Sequence, residues 1–100
     1  MKLTLIGAGN MGGSLAKGFV QSGALKAEDI TCADRSAQTL NSFAKDGYNV
    51  NTTQDNRAAV KGADIVIFAV KPWILENAVA EVKDCLDYAK QTVISIAAGK

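Results

Sequence analysis

Short apolar runs alternate along the chain with stretches of helical spacing. Residues 2–6 open it with a run read as a strand, which Gly7, Ala8 and Gly9 interrupt. Over residues 10–21 the period turns helical, with Met11, Leu15 and Phe19 on one line and Ala16 and Val20 beside it. Ser22 and Gly23 make a helix stop. Residues 29–34 read as a second strand centred on Ile30, Thr31 and Cys32. Ser36 is placed as the N-cap of a second helix carrying Ala37, Leu40, Phe43 and Ala44, closed by Gly47. Residues 48–51 form a brief third strand, and residues 54–61 a short helix that Gly62 ends. Residues 65–70 are apolar on both alternating faces, as a strand in the middle of a parallel sheet must be. Pro72 stands where a helix's first turn does not need its missing N–H. Leu75, Ala78, Val79, Val82 and Leu86 then mark one face of a long helix, and residues 92–96 a fifth strand.

The order βαβαβαβαβ, with short connections and no linker or repeat, predicts the α/β class. The expected architecture is a doubly wound, Rossmann-like parallel sheet of about five strands with helices on both faces. One hundred residues supply a single domain. The sequence stops after a strand and a glycine-containing turn, where such a fold would continue into a helix, so residues 1–100 read as a fragment. The apolar face of the fifth strand, with that of residues 65–70, is then expected to be partly uncovered. The isolated chain should self-associate through surface near residues 86–100.

Composition narrows the function classes. Apolar residues are 48% and charged residues 21%, which argues for a globular chain. A net charge of +1 without a basic cluster gives nucleic acid no field to bind. Residues 65–70 are the longest apolar run, against the ~20 residues a membrane span needs. With no leader pattern, the chain reads as cytoplasmic and free of the membrane. It has no histidine, so no zinc ribbon and no histidine base. Cys32 and Cys85, each inside an apolar periodic segment, are expected to be buried thiols.

Ligands of open parallel sheets bind beyond the carboxyl ends of the strands, so the residues just after each strand carry the information. After the first come Gly7, Gly9 and Gly12, a G-x-G-x-x-G between strand and helix. Gly7 permits the tight turn, Gly9 lets the backbone approach a pyrophosphate, and Gly12 lets helix and strand pack closely. The helix N-terminus then offers free N–H groups to the phosphates. After the second strand stand Asp34, Arg35 and Ser36. An acid there holds a ribose 2′-hydroxyl and points to NAD, whereas an arginine accommodates the 2′-phosphate of NADP. Both are present; Arg35 with Ser36 favours NADP, with NAD the alternative, and a helix cap beside a solvated arginine is the plainer reading. Ala69, Val70, Lys71 and Pro72 follow the fourth strand. Their small residues let a cofactor lie against the backbone, and Lys71 either faces it or stands solvated at an ordinary turn. Ala97, Ala98 and Gly99 repeat the theme after the fifth strand.

Taken together, Ile6, Gly7, Ala8, Gly9, Asn10, Met11 and Gly12, then Ala69, Val70, Lys71 and Pro72, then Ser95, Ile96, Ala97, Ala98 and Gly99 resemble the pyrroline-5-carboxylate reductase family. The resemblance runs in order and spacing over essentially the whole chain. It implies reduction of the C=N bond of 1-pyrroline-5-carboxylate to L-proline with hydride from NAD(P)H; the cofactor-binding set is then residues 6–12, 69–72 and 97–99 with Asp34, Arg35 and Ser36. It also implies that Asn56 reaches the adenosine side of the cofactor; by itself Asn56 looks only like a helix start. Asp34 departs from the family, many of whose members carry a hydroxyl residue or asparagine there, so the cofactor preference stays open. The family's enzymes continue into a helical domain that makes the dimer and contributes the substrate site. No catalytic residue therefore transfers to residues 1–100, and the chain alone is expected to be inactive. A nucleotide-binding module without turnover, and a related oxidoreductase with another small substrate, are the competing readings.

Overall fold

A computed structural model describes residues 1–7, 10–87 and 89–96, and the side chains of Asn10, Met11 and Pro72 lie outside that description. Strands β1 (Leu3–Ile6), β2 (Ile30–Ala33), β3 (Asn51–Thr53), β4 (Ile65–Phe68) and β5 (Thr92–Ser95) alternate with helices α1 (Asn10–Ser22), α2 (Ala37–Lys45), α3 (Asn56–Val60) and α4 (Pro72–Val82). The strands form one sheet in the order β3-β2-β1-β4-β5, every pairing parallel. The chain winds outward from β1 to β3, then returns to β4 on the other side of β1. The expected doubly wound sheet is therefore the observed one.

Alternation along the strands divides the core in two. Leu3 and Leu5 of β1, Ile30 and Cys32 of β2 and Ile67 of β4 pack with Ala16 of α1 and Leu40 and Phe43 of α2. Ile6, Ala33, Val66 and Phe68 point the other way, onto Ala59 and Val60 of α3 and Ala78 and Val82 of α4. Thr4 shares that second face, and its hydroxyl donates to the Ala59 carbonyl at 2.6 Å, which removes the cost of burying it. Burial pushes the Cys32 thiol from 9.0 up to about 12. Cys85 is only half-buried, because it lies in a turn of 3-10 helix (Lys83–Cys85) rather than on a packed helix face.

Local chemistry explains most boundaries. Ser36 accepts from the Thr39 amide and opens α2, as expected. Asp55 accepts from the Arg57 and Ala58 amides, so α3 starts at Asn56 rather than at residue 54. The third strand lies at Asn51–Thr53, not at residues 48–51, since the Tyr48 amide is taken by the Phe43 carbonyl at the end of α2. Helix α4 begins with Pro72 but stops at Val82, short of Leu86. Asp84 and Asp87 sit at its negative end, where acids are disfavoured, and the chain tightens into the 3-10 turn. The expectation of an uncovered face holds for β5, where Ile94 is 41% exposed, and fails for β4, where Val66, Ile67 and Phe68 are buried between helices of both layers. Among the described residues, no helix is long and apolar enough to cross a membrane.

Candidate functional site

The carboxyl ends of β1, β2 and β4 lie side by side at the point where strand order reverses, which is where open α/β sheets bind ligands. The hydrogen-bond ladders run one residue past the strands. Gly7 N donates to Ala33 O at 2.7 Å, Ala69 N to Ile6 O at 2.8 Å, and Asp34 N to Thr53 O at 3.2 Å. Gly7 leaves the sheet with φ +94°, a conformation side-chain-bearing residues rarely adopt. A Cβ there would also press to 2.7 Å from the Ala69 carbonyl oxygen and the Val70 side chain. A Cβ on Gly12, in the first turn of α1, would overlap the Gly7 carbonyl oxygen. These two glycines have the turning and close-packing roles read from the sequence. Asn10 and Met11 open α1, whose first turn carries no acid to neutralise its positive end. Ala8 and Gly9 lie outside the described residues, as do Ala97, Ala98 and Gly99.

A cleft of about 320 Å³ opens at this point. Ile6, Gly7 and Ala33 form its floor, Asp34 and Arg35 one rim, and Val70 with Ile74, Asn77 and Ala78 of α4 the facing wall. Asn56 enters from α3. It is 7% exposed, and among the described residues its Oδ1 has no hydrogen-bond partner. An acceptor buried without a donor costs about 1–3 kcal/mol, so its retention at a cleft wall suits a ligand with a hydroxyl or amine to give. As cleft residues Ile74, Asn77 and Ala78 escaped the sequence reading, which placed Ala78 only on the apolar face of the helix. Their signal is a line at helical spacing along the edge of the apolar stripe of α4, which Ala78 belongs to, and such a line does not say what it faces.

The remaining site residues are placed as follows. Asp34 accepts from the Ser36 amide at 2.9 Å, and the Ser36 hydroxyl caps α2. Arg35 pairs with Glu81 of α4 at 3.1 Å, and its carbonyl accepts from Gln54 Nε2 at 2.7 Å. Ala69 is buried, Val70 half-buried, and Lys71 exposed, its carbonyl accepting from the Ile74 and Leu75 amides at the start of α4. Pro72 is the first residue of that helix. The structure thus brings Ile6, Gly7, Asp34, Arg35, Asn56 and Val70 to one cleft, whose lining does not include Ser36 or Lys71. Glycine backbone that a Cβ would fill, a helix N-terminus and a buried orphan acceptor together suit a phosphate-bearing nucleotide.

Sheet order, the glycine turn and the cleft at the switch point define a Rossmann-like α/β domain of the doubly wound class. The family described as "NADP oxidoreductase coenzyme F420-dependent" matches residues 2–99, and the chain belongs to it. It is 39% identical over 99 residues to a pyrroline-5-carboxylate reductase of Arabidopsis thaliana, covering 98% of this chain and 35% of that protein. Among solved structures, a pyrroline-5-carboxylate reductase from Coxiella burnetii superposes with a TM-score of 0.88 at 39% identity, over 98% of this chain and 36% of that one. A Plasmodium falciparum pyrroline carboxylate reductase with NADP bound gives 0.79 at 27% identity, over 97% and 33%. The chain spans about a third of the length of the curated relatives it matches.

Proposed function

We propose that this chain is the cofactor-binding part of a pyrroline-5-carboxylate reductase. In this reading the whole enzyme reduces the C=N bond of 1-pyrroline-5-carboxylate to give L-proline. The observation that carries it is the similarity to such reductases across 98% of the chain. The reduced nicotinamide, when bound, supplies the hydride. The part left to this chain is to bind and orient the dinucleotide. Gly7 and Gly12 keep the space beside α1 open for its phosphates. The buried Oδ1 of Asn56 accepts from its adenosine side, and Arg35 with Ser36 receives a 2′-phosphate. That last pair favours NADP, while Asp34 leaves NAD as the alternative. Val70 lines the cleft on the way to the reactive ring.

The substrate site and a homo-oligomer interface belong, in this proposal, to a further helical domain, since relatives are about three times as long as the matched region. We place the protein in the cytoplasm, which suits the two unpaired cysteines, Cys32 and Cys85. Calorimetric titration of the chain with NADPH and NADH tests the reading. Binding of at least one, tighter for NADPH, is expected, and no binding of either overturns it. A pyrroline-5-carboxylate reduction assay on the chain by itself should give no proline. Turnover there would remove the need for a second domain.

A further inference from the structure

An ion pair bridges the mouth of the cleft, and no motif in the sequence announces it. Arg35 Nη2 lies 3.1 Å from Glu81 Oε2, which links the loop after β2 to the last turn of α4. Glu81 extends the line of Ile74, Asn77 and Ala78 at spacings of three and four, so it shares the helix face that walls the cleft. Its backbone is anchored as well, because Arg57 Nη1, in the first turn of α3, donates to the Glu81 carbonyl at 2.9 Å. Arg35 is held at its base, where the Gln54 side-chain amide donates to its carbonyl. Its side chain is 81% exposed, against 34% for Glu81. The carboxylate is therefore the better-fixed member of the pair, and the guanidinium the one with room to re-pair.

We propose that Glu81 is a selectivity residue of this cleft, its carboxylate occupying on Arg35 the place a ribose 2′-phosphate would take. The inference rests on the dinucleotide reading above and adds to it a residue that acts through Arg35. A guanidinium offers a fork of donors, and a phosphate dianion matches that fork better than one carboxylate oxygen does. A 2′-phosphorylated dinucleotide must nevertheless displace Glu81 and settle near its negative charge, whereas an unphosphorylated one leaves the pair intact. The pair thus holds down the preference for NADPH over NADH. Exposed pairs are weak, so the shift is modest, roughly two- to fivefold in relative affinity.

The test is a set of titrations with NADPH and NADH on the native chain, Glu81→Gln, Arg35→Ala and the double variant. Glu81→Gln should raise the NADPH-to-NADH affinity ratio about two- to fivefold, and Glu81→Ala should move it the same way. In the Arg35→Ala background the Glu81 substitution should move the ratio distinctly less, because only the direct repulsion of the phosphate is left to relieve, a dependence that a merely structural role of Glu81 would not produce. The gain should also shrink as salt is raised. An unchanged ratio in both Glu81 variants, or an equal shift with Arg35 absent, overturns the assignment while leaving dinucleotide binding standing. A native chain that binds neither nucleotide overturns the dinucleotide reading, and this inference with it.

Discussion

At Gly12 the packing of α1 on β1 leaves no room for a methyl group. A Cβ would meet the Gly7 carbonyl oxygen, a backbone atom that cannot swing aside. Gly12→Ala should therefore lower stability by about 1–3 kcal/mol, the range for overpacking, and should weaken nucleotide binding by moving the turn. Urea unfolding and calorimetry read the two effects, and unchanged stability would contradict the close contact. Asn56 should behave differently. Its buried Oδ1 lacks a partner among the described residues, so Asn56→Ala removes an unsatisfied group together with some packing. The expectation is a change in ligand-free stability under about 1 kcal/mol, beside a loss in nucleotide affinity of about 0.5–1.5 kcal/mol. A larger loss in stability than in affinity would make Asn56 a structural residue.

The short elements owe their existence to caps and tertiary contacts more than to length. Helix α3 has five residues, too few to hold in water by itself. Asp55 satisfies two of its free amides, at 3.0 and 3.3 Å, and Gln91 Nε2 braces the turn after it through the carbonyls of Val60 and Ala63. Asp55→Ala should cost about 1 kcal/mol. Because Asn56 is the next residue, it should also loosen nucleotide binding. Thermal unfolding with and without nucleotide separates these, with the larger drop in midpoint expected in its presence. Strand β3 shows the same dependence on neighbours. Asn51 and Thr52 are exposed, so no hydrophobic alternation marks the strand, and its position follows from pairing Thr31, Cys32 and Ala33 of β2 with residues 51–53.

Across the molecule the two layers are unequally covered. Helices α1 and α2 cover one face out to β4, yet Ile94 of β5 remains 41% exposed on that side, and Trp73 is 71% exposed at the start of α4. Apolar surface at a sheet edge invites association. The 100-residue chain should sediment above monomer mass at high concentration, and Ile94→Lys should return it towards the monomer. A native chain that remains monomeric throughout would show that this surface is too small to associate.

Period and punctuation in the sequence determined four of the five strands and helices α1 to α4 to within a few residues, since each signal is local, whereas β3 was expected three residues too early. Apolar positions on one side, a capping hydroxyl at Ser36 and a proline at Pro72 act within a turn of where they stand. Gly7 and Gly12 were legible for the same reason, as a strand turning into a helix demands them. The arrangement of the elements was a matter for the tertiary structure. The order β3-β2-β1-β4-β5 joins strands far apart in sequence, and only that order puts α4 opposite the loop after β2. Ile74, Asn77 and Ala78 became cleft wall, Asn56 lost its solvent, and Arg35 found Glu81 because long-range packing brought them to one place. Periodicity records that a residue faces something apolar or something wet, and the identity of that neighbour is settled by the whole chain closing on itself.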